Sequence, residues 1–375
     1  MIKLVFGDMF KSQAQALVNT VNCVGVMGKG LALQFKKMFP NMYLDYQQRC
    51  NNNEVKPGQP YIYKGLISPY IINFPTKDHW RSVSQLQDIE RGMEYIVSHY
   101  KDWGVSSIAV PPLGCGNGQL EWKVVGPIIF YYLKQMDIEA ELYAPDGSLT
   151  IDDLECLAIQ YEANKPKTTE PLTSNGNQRL KDGWLMLVEI LYRLEQQPYH
   201  YPVGRTIFQK IAFVASREGI PTGLNHQKSS YGPFSPQLKE LETILVNRNL
   251  LSEKSSGNML RIEVGPAYGN IRKQLLEHYS KWNGIIDRVV DLFMRVDTSQ
   301  AEILATVLFS ADQLTDDGNI PREEDVLKAV MEWKQRRRPP LQEIDVALSI
   351  RNLAAMNWMK VTPSPGLLKY DEQYV

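Results

Sequence analysis

Short apolar runs, each closed by a glycine, asparagine or proline, recur along the first part of the chain and predict strands. Residues 2–6, IKLVF, stop at Gly7-Asp8, and residues 16–18, ALV, stop at Asn19. Residues 61–63 and 70–74 follow; the second of these, YIINF, is expected to end at Pro75, where a ladder donor is missing. Residues 106–110 and 138–143 complete the set. Between them the period changes. Residues 30–39 carry Leu31, Leu33, Phe35 and Met38, which suits a short helix, and Pro40 follows. Residues 85–100 place Leu86, Ile89, Met93, Ile96 and Val97 on one helical face, and residues 122–133 read as a third helix. Strands alternating with helices indicate an α/β layer fold with a mixed or parallel sheet, and such folds bind ligands at loops beyond the carboxyl ends of strands.

The pattern breaks at NKPKTTEPLTSNG, residues 164–176, which has no apolar period and reads as linker. The expected organisation is an α/β domain over residues 1–155, a linker over 156–182 and a mainly helical domain over 183–375. The latter opens with GWLMLVEILYRL, whose Leu187, Ile190, Leu191 and Leu194 share a face. A second helix covers about 205–217, with Gly219 as its C′ residue. Ser235-Pro236 forms an N-cap and N1 pair that opens a third. Two strands around 250–251 and 260–264, joined by a turn at 256–258, then give the element order of a winged helix; the remainder is helical.

Composition narrows the function classes. The chain has 375 residues, 43% of them hydrophobic and 22% charged, enough for two packed domains. A formal net charge of −1 speaks against a dedicated nucleic-acid binder, so any contact with DNA should be local. Cys23, Cys50, Cys115 and Cys156 lack metal-ligand spacing and do not cluster with the histidines, so neither a zinc site nor a disulfide framework is expected. No run resembles a signal peptide or a membrane span, which points to the cytoplasm.

Candidate chemistry sits in two glycine-rich segments, NTVNCVGVMGKGLA at residues 19–32 and PPLGCGNG at residues 111–118. Each follows an expected strand and precedes a helix, the setting of an anion cradle made of backbone N–H groups. Known phosphate loops do not fit. Gly25 and Gly30 have the spacing of a Walker A loop, but Leu31 stands where its lysine belongs, and Gly28-Lys29-Gly30 lacks the third glycine of a dinucleotide fingerprint. Pattern alone gives two phosphate loops, or two tight turns, without naming the ligand.

Four blocks are more specific: GDMF at 7–10, ALVNTVNCVGVMGKGLALQF at 16–35, INFPTKDHWR at 72–81 and PPLGCGNGQLEW at 111–122. Together they resemble a macrodomain, and among macrodomains the DNA ADP-ribosyl glycohydrolase antitoxins of the DarG family. The resemblance implies that Asp8, with Met9, meets the adenine of ADP-ribose. It implies that Asn22 holds the distal ribose with Asn19 supporting its loop. Gly28, Lys29, Gly30, Leu31 and Ala32, and Pro112, Leu113, Gly114, Cys115, Gly116, Asn117 and Gly118, would clasp the diphosphate. Thr76 would line the site, and Tyr143 would approach adenine or else serve the core. Lys77 is the implied catalytic residue at the distal ribose, either as a nucleophile, which needs a lowered pKa, or as a charged group that stabilises the departing base. A eukaryotic relative in this subgroup carries a catalytic aspartate in the second loop; here that position is Gly118, so the loop brings no acid or base. Cys23 and Cys115 are read as packing residues.

In that family the macrodomain reverses ADP-ribosylation of DNA, with single-stranded thymidine as the implied target. The following domain neutralises a DarT-type transferase toxin. Residues 204–253 also resemble a helical domain shared by bacterial antitoxins, YGPFSPQL being its distinctive part. No metal or redox cofactor is implied. The alternatives are a reader that binds ADP-ribose without cleaving it, a phosphatase of a phosphorylated ADP-ribose metabolite, and a toxin-binding or regulatory protein with a vestigial enzyme domain. The basic run Arg336-Arg337-Arg338 is a solvated helix end or a contact for nucleic acid or an acidic partner.

Overall fold

The computed structural model describes residues 1–66, 69–145, 147, 149–165, 180–256, 259–278, 280–315 and 319–370. Most of the expected linker, and residues 257–258 of the turn expected at 256–258, lie outside them. The chain divides into two compact units, Met1–Gln178 with Glu242–Asn249, and Arg179–Leu241 with Leu250–Val375.

The first unit runs Ile2–Val5 (β1), Ala16–Asn22 (β2), Gly30–Met38 (α1), Pro40–Asn51 (α2), Tyr61–Tyr63 (β3), Tyr70–Lys77 (β4), Leu86–His99 (α3), Ser107–Val110 (β5), Trp122–Leu133 (α4), Glu139–Tyr143 (β6) and Ile151–Asn164 (α5). Its six-stranded sheet has the order β1-β6-β5-β2-β4-β3. All neighbours are parallel except β3, which runs antiparallel to β4 at the edge. Parallel strands need both faces covered. One face carries Val18, Ile72, Phe74, Ile108 and Leu142 against α3, α4 and α5. The other carries Leu17, Val21 and Ile71 against Phe35, Met42 and Tyr46 of α1 and α2.

Three details depart from the sequence reading. Pro75 does not end β4, which continues to Lys77. The carbonyl of Pro75 accepts from Gly58 N–H at 3.1 Å, on the side away from β2, so its missing N–H removes no bond from the β2 ladder. Pro40 does not merely close α1; it is the first residue of α2, where a proline loses nothing. The expected boundary at 155 falls inside α5, which starts at a Thr150–Asp153 capping box and buries Leu154 and Ala158 in the first unit's core.

The second unit is mainly helical. It contains Asp182–Glu195 (α6), Arg205–Arg217 (α7), the short strands Gln227–Ser229 (β7) and Gly232–Phe234 (β8), and Gln237–Asn247 (α8) up to Leu241. Leu251–Ser256 (β9) and Met259–Val264 (β10) form an antiparallel pair. Tyr268–His278 (α9), Asn283–Phe293 (α10), Thr298–Leu314 (α11), Glu323–Lys334 (α12) and Glu343–Ala355 (α13) follow. The β7–β8 hairpin was not expected. A bridge between Gly204 and Arg261 adds a third short segment beside β10, and Gly219, at φ +104°, follows α7 as expected. Arg337 pairs with Glu302 of α11 at 3.2 Å, and so is tied into the fold. Among the described residues no helix is long and apolar enough to cross a membrane.

Candidate functional site

The parallel strands all point their carboxyl ends the same way, so the segments after β1, β2, β4, β5 and β6 gather at one edge of the sheet. The candidate residues sit in these segments.

After β1, Asp8 caps a short 3-10 turn at Met9–Lys11, accepting from Phe10 N–H at 3.0 Å, and remains exposed. Met9 points inward and is 4% exposed. At the end of β6, Tyr143 is also buried in this core, its hydroxyl donating to Glu141 at 3.1 Å. Burial, and then the Glu141 carboxylate, hold its phenol above the usual tyrosine range. Met9 and Tyr143 thus both pack into the core of the first unit.

After β2 the chain folds around Asn22. Its carboxamide oxygen accepts from Val24 N–H at 3.0 Å, from Val26 N–H at 3.4 Å and from the Tyr46 hydroxyl at 3.1 Å, while its Nδ2 donates to Val26 C=O. Asn22 therefore sets the shape of the first loop, and Tyr46 of α2, which the sequence reading did not single out, locks it. Asn19 is fully buried in β2; its Nδ2 donates to the Asn73 side chain at 2.9 Å and reaches Met27 Sδ of the first loop at 4.0 Å. The loop leads into α1, where Gly30 adopts φ +57°, a conformation that glycine takes without strain. Lys29, the N-cap, supplies no side-chain acceptor, so the first N–H groups of α1 have no cap from that residue. Gly28 is exposed; Leu31 and Ala32 are half-buried in the opening turn.

The second loop follows β5. Gly114 takes φ +72°, and Leu120 N–H returns to its carbonyl at 3.0 Å, making a tight knot. Leu113 is buried, Pro112 and Cys115 are half-buried, and Gly116 and Asn117 are exposed. The two loops face each other: a Cβ on Gly30 would lie 3.5 Å from Nδ2 of Asn117. Packing at Gly118 leaves no room for an acidic side chain at that position. A Cβ there would come within 2.2 Å of Ser84 Oγ and 2.4 Å of the Gly114 carbonyl oxygen.

Lys77 is the last residue of β4. Its Nζ donates to Ser82 C=O at 3.2 Å and to Asn117 C=O at 3.1 Å, so the lysine joins the end of β4 to the second loop. Cys23 N–H donates to Asp78 C=O at 2.8 Å, which ties the first loop to the same place. Thr76 is buried and its hydroxyl donates to Val21 C=O at 3.5 Å, so its side chain serves the sheet. Burial, helped by Asp78, pushes the Cys23 thiol well above its ordinary range; burial pushes Cys115 up to about 12. Both are neutral packing residues at neutral pH. Among the described residues no group of three His, Cys, Asp or Glu side chains is placed to hold a metal ion.

The arrangement is thus an exposed carboxylate at one end, two glycine loops with an uncapped helix start in the middle, and an anchored lysine at the other. The Macro domain family profile matches residues 18–129. The chain is 31% identical over 312 residues to a DNA ADP-ribosyl glycohydrolase of Thermus aquaticus, an alignment covering 82% of this chain and 81% of that protein. It is 35% identical over 253 residues to a DNA ADP-ribosyl glycohydrolase of Mycobacterium tuberculosis, covering 64% of this chain and 66% of the relative. It is 42% identical over 162 residues to a Thermosipho africanus DNA ADP-ribosyl transferase-DNA ADP-ribosyl glycohydrolase fusion protein, covering 38% of this chain and 42% of the fusion. The alignments thus span just under two thirds of the mycobacterial protein and under half of the fusion. The first unit is a macrodomain, and the chain belongs to the DNA ADP-ribosyl glycohydrolase family.

Proposed function

We propose that the first unit hydrolyses the N-glycosidic bond between ADP-ribose and a base of single-stranded DNA, with thymidine as that base. The observation that carries this reading is the position of Lys77. Its Nζ is anchored by Asn117 C=O at 3.1 Å, between two loops whose backbone suits a diphosphate. In this reading Asp8 accepts from the adenine amine. The N–H groups at the start of α1 and in the second loop hold the diphosphate, which delivers the distal ribose to Lys77. The carbon–nitrogen bond breaks with its electron pair on the departing base. Water adds to the anomeric carbon and its proton ends on the base, releasing ADP-ribose and restoring the nucleotide. Lys77 Nζ is engaged as a donor by both its carbonyls, so we assign it the donor's part, stabilising charge on the departing base.

We assign the second unit the neutralisation of a DNA ADP-ribosyl transferase toxin. The fusion relative, whose name joins such a transferase to a glycohydrolase, supports the pairing. A cytoplasmic location fits a substrate that is cellular DNA. A pure ADP-ribose reader would have no use for a lysine fixed at the ribose end.

The test is ADP-ribose release from two substrates, an oligonucleotide modified on thymidine and a protein modified on carboxylates. Release from the oligonucleotide at least about tenfold faster is expected. Release from the protein alone would move the activity to ester chemistry, and release from neither would leave a reader.

A further inference from the structure

The block INFPTKDHWR gives Lys77 to the site and leaves His79, Trp80 and Arg81 unassigned. These residues form a turn over the lysine. Ser82 N–H donates to His79 C=O at 2.9 Å, the closing bond of a β-turn, which makes Trp80 and Arg81 its two tip residues. The same Ser82 carbonyl accepts from Lys77 Nζ at 3.2 Å, so the tip is held at the ribose end of the site. Trp80 nonetheless leaves 44% of its surface in solvent, although a ring of this size gains much by burial. The Arg81 guanidinium lies 4.5 Å from the centroid of the Trp80 ring, and the His79 ring centroid is 5.4 Å away at 32°. The flanking Asp78 and Arg81 are exposed, so Trp80 is the apolar residue of the tip. A single exposed indole is the right size to stack one base.

We infer that the exposed Trp80 ring at this tip is a stacking platform for an unpaired base beside the modified nucleotide. The inference rests on the DNA glycohydrolase reading of the neighbouring site. An indole ring offers a face to any base, which is how sequence-tolerant single-strand binders work. A paired base has both faces covered by its neighbours, so the platform selects single strands. It also supplies the local DNA contact that a chain of net charge −1 requires.

The probe is an unmodified fluorescent oligothymidylate, titrated at low salt into the full chain saturated with ADP-ribose, with ADP-ribose affinity measured separately by calorimetry. Trp80→Ala is expected to weaken oligothymidylate binding about tenfold, and Trp80→Phe less than about threefold, since a ring remains to stack. Both variants should hold ADP-ribose within about twofold of the parent. Three results overturn the inference: no binding of the oligonucleotide by the parent, equal binding by Trp80→Ala, or a parallel loss of ADP-ribose affinity, which would make Trp80 a support for the loop. None of these readouts needs cleavage, so failure of the glycohydrolase reading and failure of the platform are separately visible.

Discussion

Gly118 and Lys77 show how differently two positions in one site can be read. Lys77 could be chosen only through the block that surrounds it, because a lysine after a strand is ordinarily solvated. Its anchoring by Ser82 and Asn117 carbonyls depends on two segments far along the chain and could not be read from spacing. Gly118 was legible as a departure from a pattern, and the geometry supplies the cause. Ser84 Oγ and the Gly114 carbonyl occupy the volume that a Cβ would need. Gly118→Asp should therefore lower the stability of the first unit, by ~1–3 kcal/mol from overpacking, without raising cleavage of modified DNA. Thermal unfolding and initial rates would check this; a stable and faster variant would show that the loop yields and accepts an acid. Asn22 is a case where residue type suggested a ligand contact. The structure commits its carboxamide to Val24, Val26 and Tyr46, so whatever it gives a ribose comes with control of the loop's shape.

At the level of elements, Pro75 reads as a stop and yet lies within β4, while Pro40 follows α1 as its pattern implies and also opens α2. The buried Met42, Tyr46 and Cys50, spaced at i, i+4 and i+8, were a signal for α2, and the Thr150–Asp153 pair was one for α5. The β7–β8 hairpin, three residues a strand, gave no periodicity to see. The buried lysine of α7 was equally invisible. Lys210 is 1% exposed, donates to Pro233 C=O at 2.7 Å, and lies near the Lys334–Glu302 ion pair of α12 and α11. Burial, and then the charge of Lys334, lower its pKa to about 7. An unfolded lysine titrates near ~10.4. Between these values the folded state binds fewer protons than the unfolded one, so this group makes stability rise with pH. Its penalty is complete below about 7 and gone above ~10.4. Lys210→Met removes that dependence. Relative to the parent, its unfolding free energy should be most favourable near neutral pH and lose ground as pH rises, while the bared Pro233 carbonyl shifts the difference by a constant. Denaturant unfolding of both proteins across this window checks the slope; a difference independent of pH would mean that Lys210 titrates normally.

For the whole molecule, the division into an α/β part and a helical part was legible from the change of hydrophobic period, and the boundary was not, because α5 looks polar from one side. The family was legible because its four blocks are the segments at the carboxyl edge of the sheet, where chemistry restricts sequence more tightly than packing does. The account's central claim is that this edge cleaves as well as binds, and that Lys77 is what separates the two. The most direct measurement compares the parent and Lys77→Ala for ADP-ribose affinity and for release of ADP-ribose from a thymidine-modified single strand. The account predicts affinity within about threefold and a release rate lower by ~100-fold or more, the scale of losing one preorganised donor at a developing charge. Equal release by the two proteins, or loss of release only in proportion to lost ADP-ribose affinity, would contradict it.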